Sequence, residues 1–495
     1  MHRRLRVATI ATLLVALLAP LGTRGSAHDA PRVYLVVIDG LEPGDVGPEL
    51  TPNIHGLIEG GRARSYTAAQ AMMVTETNGN HTAMVTGAWG EATGIVANSF
   101  LDTTSSPPVK RPLDRPSLLL SETLFDSIAR QQPRLRTGAV MGKSKLRNLF
   151  SATDVSTENP EGEPVSHTGP DHMWGAKESP DRDALIQGAD NLAEPGTGSG
   201  YAHDTQTMNS ALRMIEQHDP HFMFVSLSNV DGFQHLFGAT SPQGRAAIVN
   251  ADLQVGRLVS ALQANGTWDR SVVVVTADHS FQGSGNPVGT SALGGSPAGP
   301  DVDHSNQLTP RVTGTTILLP DLVGSCPGTP LGWVSHGGSA SVYLTDLDRY
   351  APDAELTPLQ SQCLRTVRQR VTANPGVDGA WYRLPAEGGD HLLDAKGWNL
   401  QSPRIGELFI AGKDPYAFLE SQTSSASITS GVHGGESTRP VPFVIASGGE
   451  TLRAGTDDRG VSPVDVAPTI SWLLDRDPPA DSVGRVLLEA FEQRP

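Results

Sequence analysis

Cysteine is nearly absent from this sequence. Only Cys326 and Cys363 occur in 495 residues, and neither stands beside histidines at metal-ligand spacing. They offer no thiolate metal site and carry no catalytic role. In an exported chain two cysteines most simply form one disulfide, closing a loop worth about 4 kcal/mol by the chain-entropy estimate, and two buried free thiols are the alternative. Positive charge is also scarce: 37 Lys and Arg face 53 Asp and Glu, for a formal net charge of -16. An acidic surface argues against a nucleic-acid or anionic-membrane partner, although a cluster of metal cations could still receive an anionic substrate. No internal repeat is present.

Long apolar runs are limited to one, residues 7–21, which Pro20 breaks and which is too short for a comfortable membrane span. A basic start precedes it and small residues ending at Ala27 follow, the pattern of an export signal over residues 1–27. We expect cleavage, hence a secreted or extracytoplasmic protein with no stable membrane anchor. The segment holds Arg3, Arg4, Arg6 and Arg24 and no acid, so its loss takes the charge from -16 to -20.

What is present is a repeated design. "RVYLVVID" (32–39) is an apolar run ending in an acid, which reads as a buried parallel strand that delivers Asp39 at its C-terminal end. "TGAVMGK" (137–143), "HFMFVSLSNVD" (221–231) and "SVVVVTADH" (271–279) follow suit. Helical patterns lie between them, at Leu124, Phe125 and Ile128, at Met208, Ala211, Leu212 and Ile215, and from Ala251 to Leu262, with Asp204 as the expected N-cap of the second. Strands alternating with helices predict an α/β fold, a doubly wound, mostly parallel sheet flanked by helices. Ligands gather beyond the carboxyl ends of such strands, where all these acids fall. Residues 281–312, rich in Gly, Ser and Pro, read as a long loop. The pattern predicts a core over 28–312, an inserted small α+β cap over 313–425, and a return to the core over 426–495.

Four segments place ligand-type side chains at that edge: "VVIDG" with Asp39, "NVDGFQH" with Asp231 and His235, "TADH" with Asp278 and His279, and "GVHGG" with His433. Taken singly each is weak, since an Asp after a strand is usually a cap and an i, i+4 Asp/His pair is a common surface pair. Together they supply three aspartates and three histidines, enough for two cations, with Zn²⁺ favoured by mixed carboxylate and imidazole ligation. Two cations about 4 Å apart suit in-line displacement at phosphorus.

The order Asp39, then Thr77 in "TETNGNH", then Asp231 with His235, then Asp278-His279, then His433-Gly434 resembles the alkaline phosphatase superfamily, and within it the type I phosphodiesterase and nucleotide pyrophosphatase branch. The motifs span most of the chain. The resemblance implies an alkaline phosphatase-like core and two Zn²⁺, one on Asp231, His235 and His433, the other on Asp39, Asp278, His279 and Thr77. It makes Thr77 the nucleophile, marked out from Thr75 and Thr82 by Asn80 and His81 at the family offset. It also makes Asn98, in "TGIVANS", a donor to a nonbridging phosphoryl oxygen. The sequence departs from the family at Glu76, where many relatives carry Lys, and at Asn78-Gly79, which replaces Phe-Pro. Sulfatases of this fold need a "C/S-x-P-x-R" motif, which is missing, and the alkaline phosphatases proper use Ser in place of Thr.

The expected activity is hydrolysis of a small phosphorylated substrate, a diester or pyrophosphate, through a phosphothreonine-type intermediate. The runner-up is carbon-phosphorus hydrolysis of the phosphonoacetate type, or a phosphomonoesterase; there Lys143 and Lys145 in "MGKSKLRNLF" would contact the substrate's acidic groups. The alternative of another class is an exported binding protein that keeps the fold without turnover. "DVDH" (301–304) and "SHTGPDHMWG" (166–175) are further polar clusters, the second with Trp174 as a stacking surface.

Overall fold

The apolar runs fold as strands of one central sheet. The computed structural model describes residues 31–176, 201–283, 316–386, 390–420 and 431–494. The export segment, nearly all of the 281–312 loop and its "DVDH" cluster lie outside the described residues. Strands of interest in chain order are β1 (Arg32–Ile38), β2 (Ala63–Ala69), β3 (Thr137–Met141), β4 (His172–Gly175), β5 (Phe222–Leu227) and β6 (Ser271–Thr276). They continue with β7 (Leu331–Ser335), β8 (Ser339–Leu344), β9 (Val377–Tyr382), β10 (Leu408–Gly412), β11 (Phe443–Ser447) and β12 (Gly455–Val461).

Eight of these form a sheet in the order β12-β2-β11-β6-β1-β5-β3-β4. Only β11 runs against the rest, pairing antiparallel with β6 and β2. β1 lies at the centre between β5 and β6, parallel to both, and every one of its residues is buried. Burial on both faces explains the unbroken apolar sequence, each large apolar side chain contributing about 1.5–3 kcal/mol. The polarity of the sheet then aims the residues after β1, β3, β5 and β6 at one edge.

Helices of interest in chain order are α1 (Thr77–Thr86), α2 (Leu124–Gln131), α3 (Asp204–His218), α4 (Asn229–Phe237), α5 (Pro242–Ala264), α6 (Pro358–Thr372) and α7 (Val466–Leu473). Asp204 is not the N-cap of α3; His203 is. The Asp204 carboxylate instead accepts from Ser228 N at 2.8 Å and Asn229 N at 3.1 Å at the start of α4. Those amides open α4 and have no intrahelical acceptor, while the first turn of α3 is already served by His203. Burial pushes this carboxyl up to about 7.

The segment 313–425 contains a separate antiparallel sheet, β7-β8-β10-β9, with α6 packed on it. Cys363 on α6 is disulfide-bonded to Cys326. Its apolar core includes Leu344, Leu364, Val367, Leu408, Ile410 and Phe418. The "SHTGPDHMWG" cluster is structural: His167 Nδ1 meets Asp126 Oδ2 at 2.9 Å, and Asp171 accepts from Thr137 N at 2.7 Å. Trp174 is 6% exposed within β4 and offers no stacking face. Among the described residues no helix is long and apolar enough to cross a membrane.

Candidate active site and metal centre

The turn before α1 explains why so polar a stretch is entirely buried. Asn80 Oδ1 accepts from Met72 N at 2.8 Å, while its Nδ2 donates to Val74 O and Glu76 O, each at 3.1 Å. One carboxamide thus folds residues 72–76 back onto the helix and sets Thr77 in its first turn. Thr75 Oγ1 accepts from Gly434 N at 2.9 Å and donates toward Gly435 O at 3.0 Å, fastening this turn to the loop of His433. Gly434 has φ +96 and its Cα lies against His336 O, so no side chain fits there.

Around Thr77 the strand ends converge. Asp39 follows β1, Asp278 and His279 follow β6, Lys143 follows β3, and Asp231 and His235 lie one helical turn apart on α4 after β5. Asp231 Oδ1 is 3.3 Å from His235 Nε2, 3.6 Å from His433 Nε2 and 4.0 Å from His279 Nε2. His279 Nε2 is also 3.5 Å from Asp39 Oδ1 and 3.4 Å from Asp278 Oδ2. Two buried groups result, Asp231 with His279 and His433, and Asp39 with His81 and Asp278, each with ligand atoms within 4.8 Å of one another. His279 therefore stands between the two sets, within reach of all three carboxylates.

The imidazoles share one arrangement. His235 Nδ1 lies 3.1 Å from Gly431 O, His279 Nδ1 3.2 Å from Ser280 O, and His433 Nδ1 2.8 Å from Thr75 O. A backbone carbonyl only accepts, so each ring carries its proton on Nδ1 and turns the Nε2 lone pair inward, the tautomer of a metal ligand. The Nε2 atoms of His235 and His433 then face each other at 3.2 Å. Asp39 Oδ1, Asp231 Oδ1, Asp278 Oδ2 and His279 Nε2 are buried without a hydrogen-bond partner. Oxygen and nitrogen lone pairs left this way cost free energy unless a cation takes them, so the residues fit a metal.

The electrostatics agree. Burial, with the neighbouring His279 and His235, holds His433 well below the usual histidine value, and burial brings His279 down to about 4. Both rings are neutral, as ligands must be. Burial and the Asp278 charge push Asp39 up. Burial opposes ionisation of Asp231, but Lys143 and His235 outweigh it and hold that carboxyl well below its usual range. Three carboxylates in one dry site require compensating charge.

The chain matches a known family. Residues 33–296 match the family described as type I phosphodiesterase / nucleotide pyrophosphatase. The chain belongs to the type I phosphodiesterase / nucleotide pyrophosphatase family. Curated relatives include a bovine bis(5'-adenosyl)-triphosphatase (Bos taurus), 22% identical over 263 residues, with 52% of this chain and 49% of that protein covered. Another is human ectonucleotide pyrophosphatase/phosphodiesterase family member 7, 25% identical over 271 residues, covering 53% and 49%. The chain thus spans about half the length of the curated relatives it matches. Among solved structures, human ectonucleotide pyrophosphatase / phosphodiesterase 5 superposes with TM-score 0.63 at 15% identity, over 93% of this chain and all of that one. An inactive variant of the murine protein in complex with AMP gives TM-score 0.61 at 14% identity, covering 90% and 96%. The alkaline phosphatase-like fold of this phosphodiesterase-family chain is established by these matches.

Lys143 and Lys145, which the phosphonoacetate-type reading would set against a substrate's acidic groups, are placed differently from each other. Lys143 is 1% exposed, with Nζ turned into the carboxylates, and Lys145 Nζ lies 3.3 Å from Asn98 Oδ1. Asn98 Oδ1 also accepts from Asn78 N at 3.0 Å. Burial and the Lys143 charge bring Lys145 down to about 8. His81, which in the sequence only marks the motif, has its Nδ1 2.9 Å from Thr77 O and 3.4 Å from Asp278 Oδ2. Its place one helical turn after Thr77 was the available signal. Glu76, a departure from the family pattern, has partners that no motif in the sequence marks. Its Oε2 accepts from Asn98 N at 2.7 Å and lies 3.3 Å from His336 Nδ1, a residue of the β7–β8 turn with no motif around it.

Proposed function

We propose that this chain is an exported two-metal hydrolase of phosphoric esters, with zinc as the metal, Thr77 as the nucleophile, and a diester or pyrophosphate as the substrate. The facing Nε2 lone pairs of His235 and His433, 3.2 Å apart beside Asp231 Oδ1, carry the reading. Two acceptors at that distance repel unless a cation lies against them. Asp231, His235 and His433 would hold one cation, and Asp39, Asp278, His279 and Thr77 the other. Bound there, two divalent cations would lower the pKa of the threonine hydroxyl and offset charge on the entering and leaving oxygens.

The chain's own groups then supply position. Thr77 lies in the first turn of a ten-residue helix, whose N-terminal end favours a nonbridging phosphoryl oxygen, although the amide of Asn78 is already held by Asn98. Asn98 has its Oδ1 engaged by Asn78 N and Lys145, which turns its NH₂ the other way as a donor to such an oxygen. Attack by Thr77 Oγ1 forms a phosphothreonine ester and expels the leaving group. Water displaces Thr77 in turn, so that two inversions retain configuration at phosphorus. The triphosphatase name of the bovine relative and the AMP held by the murine protein support a nucleotide substrate.

The test is turnover of bis-p-nitrophenyl phosphate, p-nitrophenyl phosphate and phosphonoacetate by zinc-loaded protein and Thr77→Ala. Diester turnover that vanishes in the variant supports the reading. Turnover of phosphonoacetate alone replaces it with carbon-phosphorus hydrolysis. Zinc binding without turnover of any ester or nucleotide leaves a binding protein on this fold.

A further inference from the structure

The carboxylates of Asp39 and Asp231 each divide their two oxygens. On the inner side, Asp39 Oδ1 faces His279 Nε2 at 3.5 Å, and Asp231 Oδ1 faces His235 and His433. On the other side, Asp39 Oδ2 and Asp231 Oδ2 both meet Lys143 Nζ, at 2.7 and 2.6 Å. The same ammonium donates to Thr77 Oγ1 at 3.1 Å. Lys143 is enclosed: its backbone forms a β-bridge with Tyr201, whose ring lies under Nζ and whose hydroxyl donates to Asp231 Oδ2 at 3.1 Å. Three oxygens converge on Nζ, one from each ligand group and one from the nucleophile. A solvent-facing lysine waiting for an anion would not be built this way.

We propose that Lys143 is a third, covalently attached cation of the centre, bridging the two ligand groups and contacting the reacting oxygen of Thr77. This rests on the phosphoryl-transfer reading of the site. Two consequences follow from the chemistry. As a fixed positive charge on the outer oxygens of Asp39 and Asp231, Lys143 would make both poorer donors to a metal, and a cation bound there would keep more of its charge for the group it activates. Against Thr77 it stabilises negative charge on Oγ1 as a proton leaves, making it a catalytic residue.

Two measurements decide this. The first is equilibrium zinc affinity, read by competition with a chromophoric chelator, for the full chain and for Lys143→Met and Lys143→Gln, with bis-p-nitrophenyl phosphate turnover beside it. The expected result is tighter zinc binding in the variants by about tenfold, because a positive charge that competes for the same carboxylates is removed, with turnover at saturating zinc reduced by about 100-fold or more. Unchanged or weaker zinc affinity would overturn the proposal. The second is a zinc-bound structure of the unaltered chain, which decides the matter even if neither variant folds. Nζ within hydrogen-bond distance of Asp39, Asp231 and Thr77 upholds the bridge; Nζ swung away from both carboxylates refutes it. Neither affinity nor structure depends on turnover. Failure of the hydrolase reading would show as no ester cleaved by the unaltered chain, and failure of this inference as an unmoved affinity in a chain that cleaves esters.

Discussion

Thr75 and His433 are 358 residues apart in the chain, and the imidazole Nδ1–H of one donates to the carbonyl of the other at 2.8 Å. That bond fixes the tautomer that turns the His433 lone pair toward Asp231. The Thr75 hydroxyl meanwhile holds Gly434 N at 2.9 Å. The residue two before Thr77 thus orients His433, and its hydroxyl ties the turn before α1 to the His433 loop.

Thr75→Val keeps the shape of the side chain and removes the hydroxyl. We expect it to lower metal affinity by about 10–100-fold, the range typical for groups that orient ligands. Chelator competition on the purified variant measures this, and an affinity equal to the parent's would show that the backbone carbonyl alone suffices.

Asn98→Ala removes the expected phosphoryl-oxygen donor. Diester turnover should fall in kcat by about 100-fold with a smaller change in KM, since a donor aimed at developing charge acts mostly in the transition state. A drop confined to KM would assign Asn98 to ground-state binding.

Asn80→Asp preserves volume and the acceptor for Met72 N but loses both donors to Val74 O and Glu76 O. It also buries a charge among carbonyls. We expect destabilisation of about 2–3 kcal/mol or more, read by chemical denaturation, accompanied by loss of turnover as the Thr77 turn loosens.

His167 and Asp126 form a buried pair far from the ligand residues in sequence. Burial opposes the charge on Asp126, but the His167 contact prevails and holds its carboxyl down to about 2; burial likewise opposes the His167 cation, and Asp126 raises it. The depressed Asp126 contributes stability above its ordinary value near 4 that is lost as pH falls toward about 2. The raised His167 contributes below about 6.5, its ordinary value, and that part is lost as pH rises through its higher folded value. His167→Gln should therefore destabilise the protein most between about pH 4 and 6.5, with the gap narrowing above that window. Denaturation midpoints of both proteins across pH 3–9 check the sign.

The strand design is legible because burial on both faces leaves mostly apolar residues in β1, β5 and β6, and the acid that follows each run marks where the chain leaves the sheet. The helix that begins at Thr77 shows little apolar periodicity, since it is buried throughout and Asn80 is spent on backbone groups of the preceding turn. Asp204 reads as a helix cap because a cap is a local event; it serves α4 instead because two helix starts meet there.

The sequence by itself determined the ligand types and their attachment to strand ends, since a parallel strand must deliver its next residue to one edge of the sheet. Tertiary structure alone decided the inward turn of Lys143, the place of His279 between the two groups, and the contacts of Glu76 with Asn98 and His336. Those depend on which side chains share a closed space and must settle one another's charges and hydrogen bonds. Residues scattered from 39 to 433 carry no local pattern that records such a settlement.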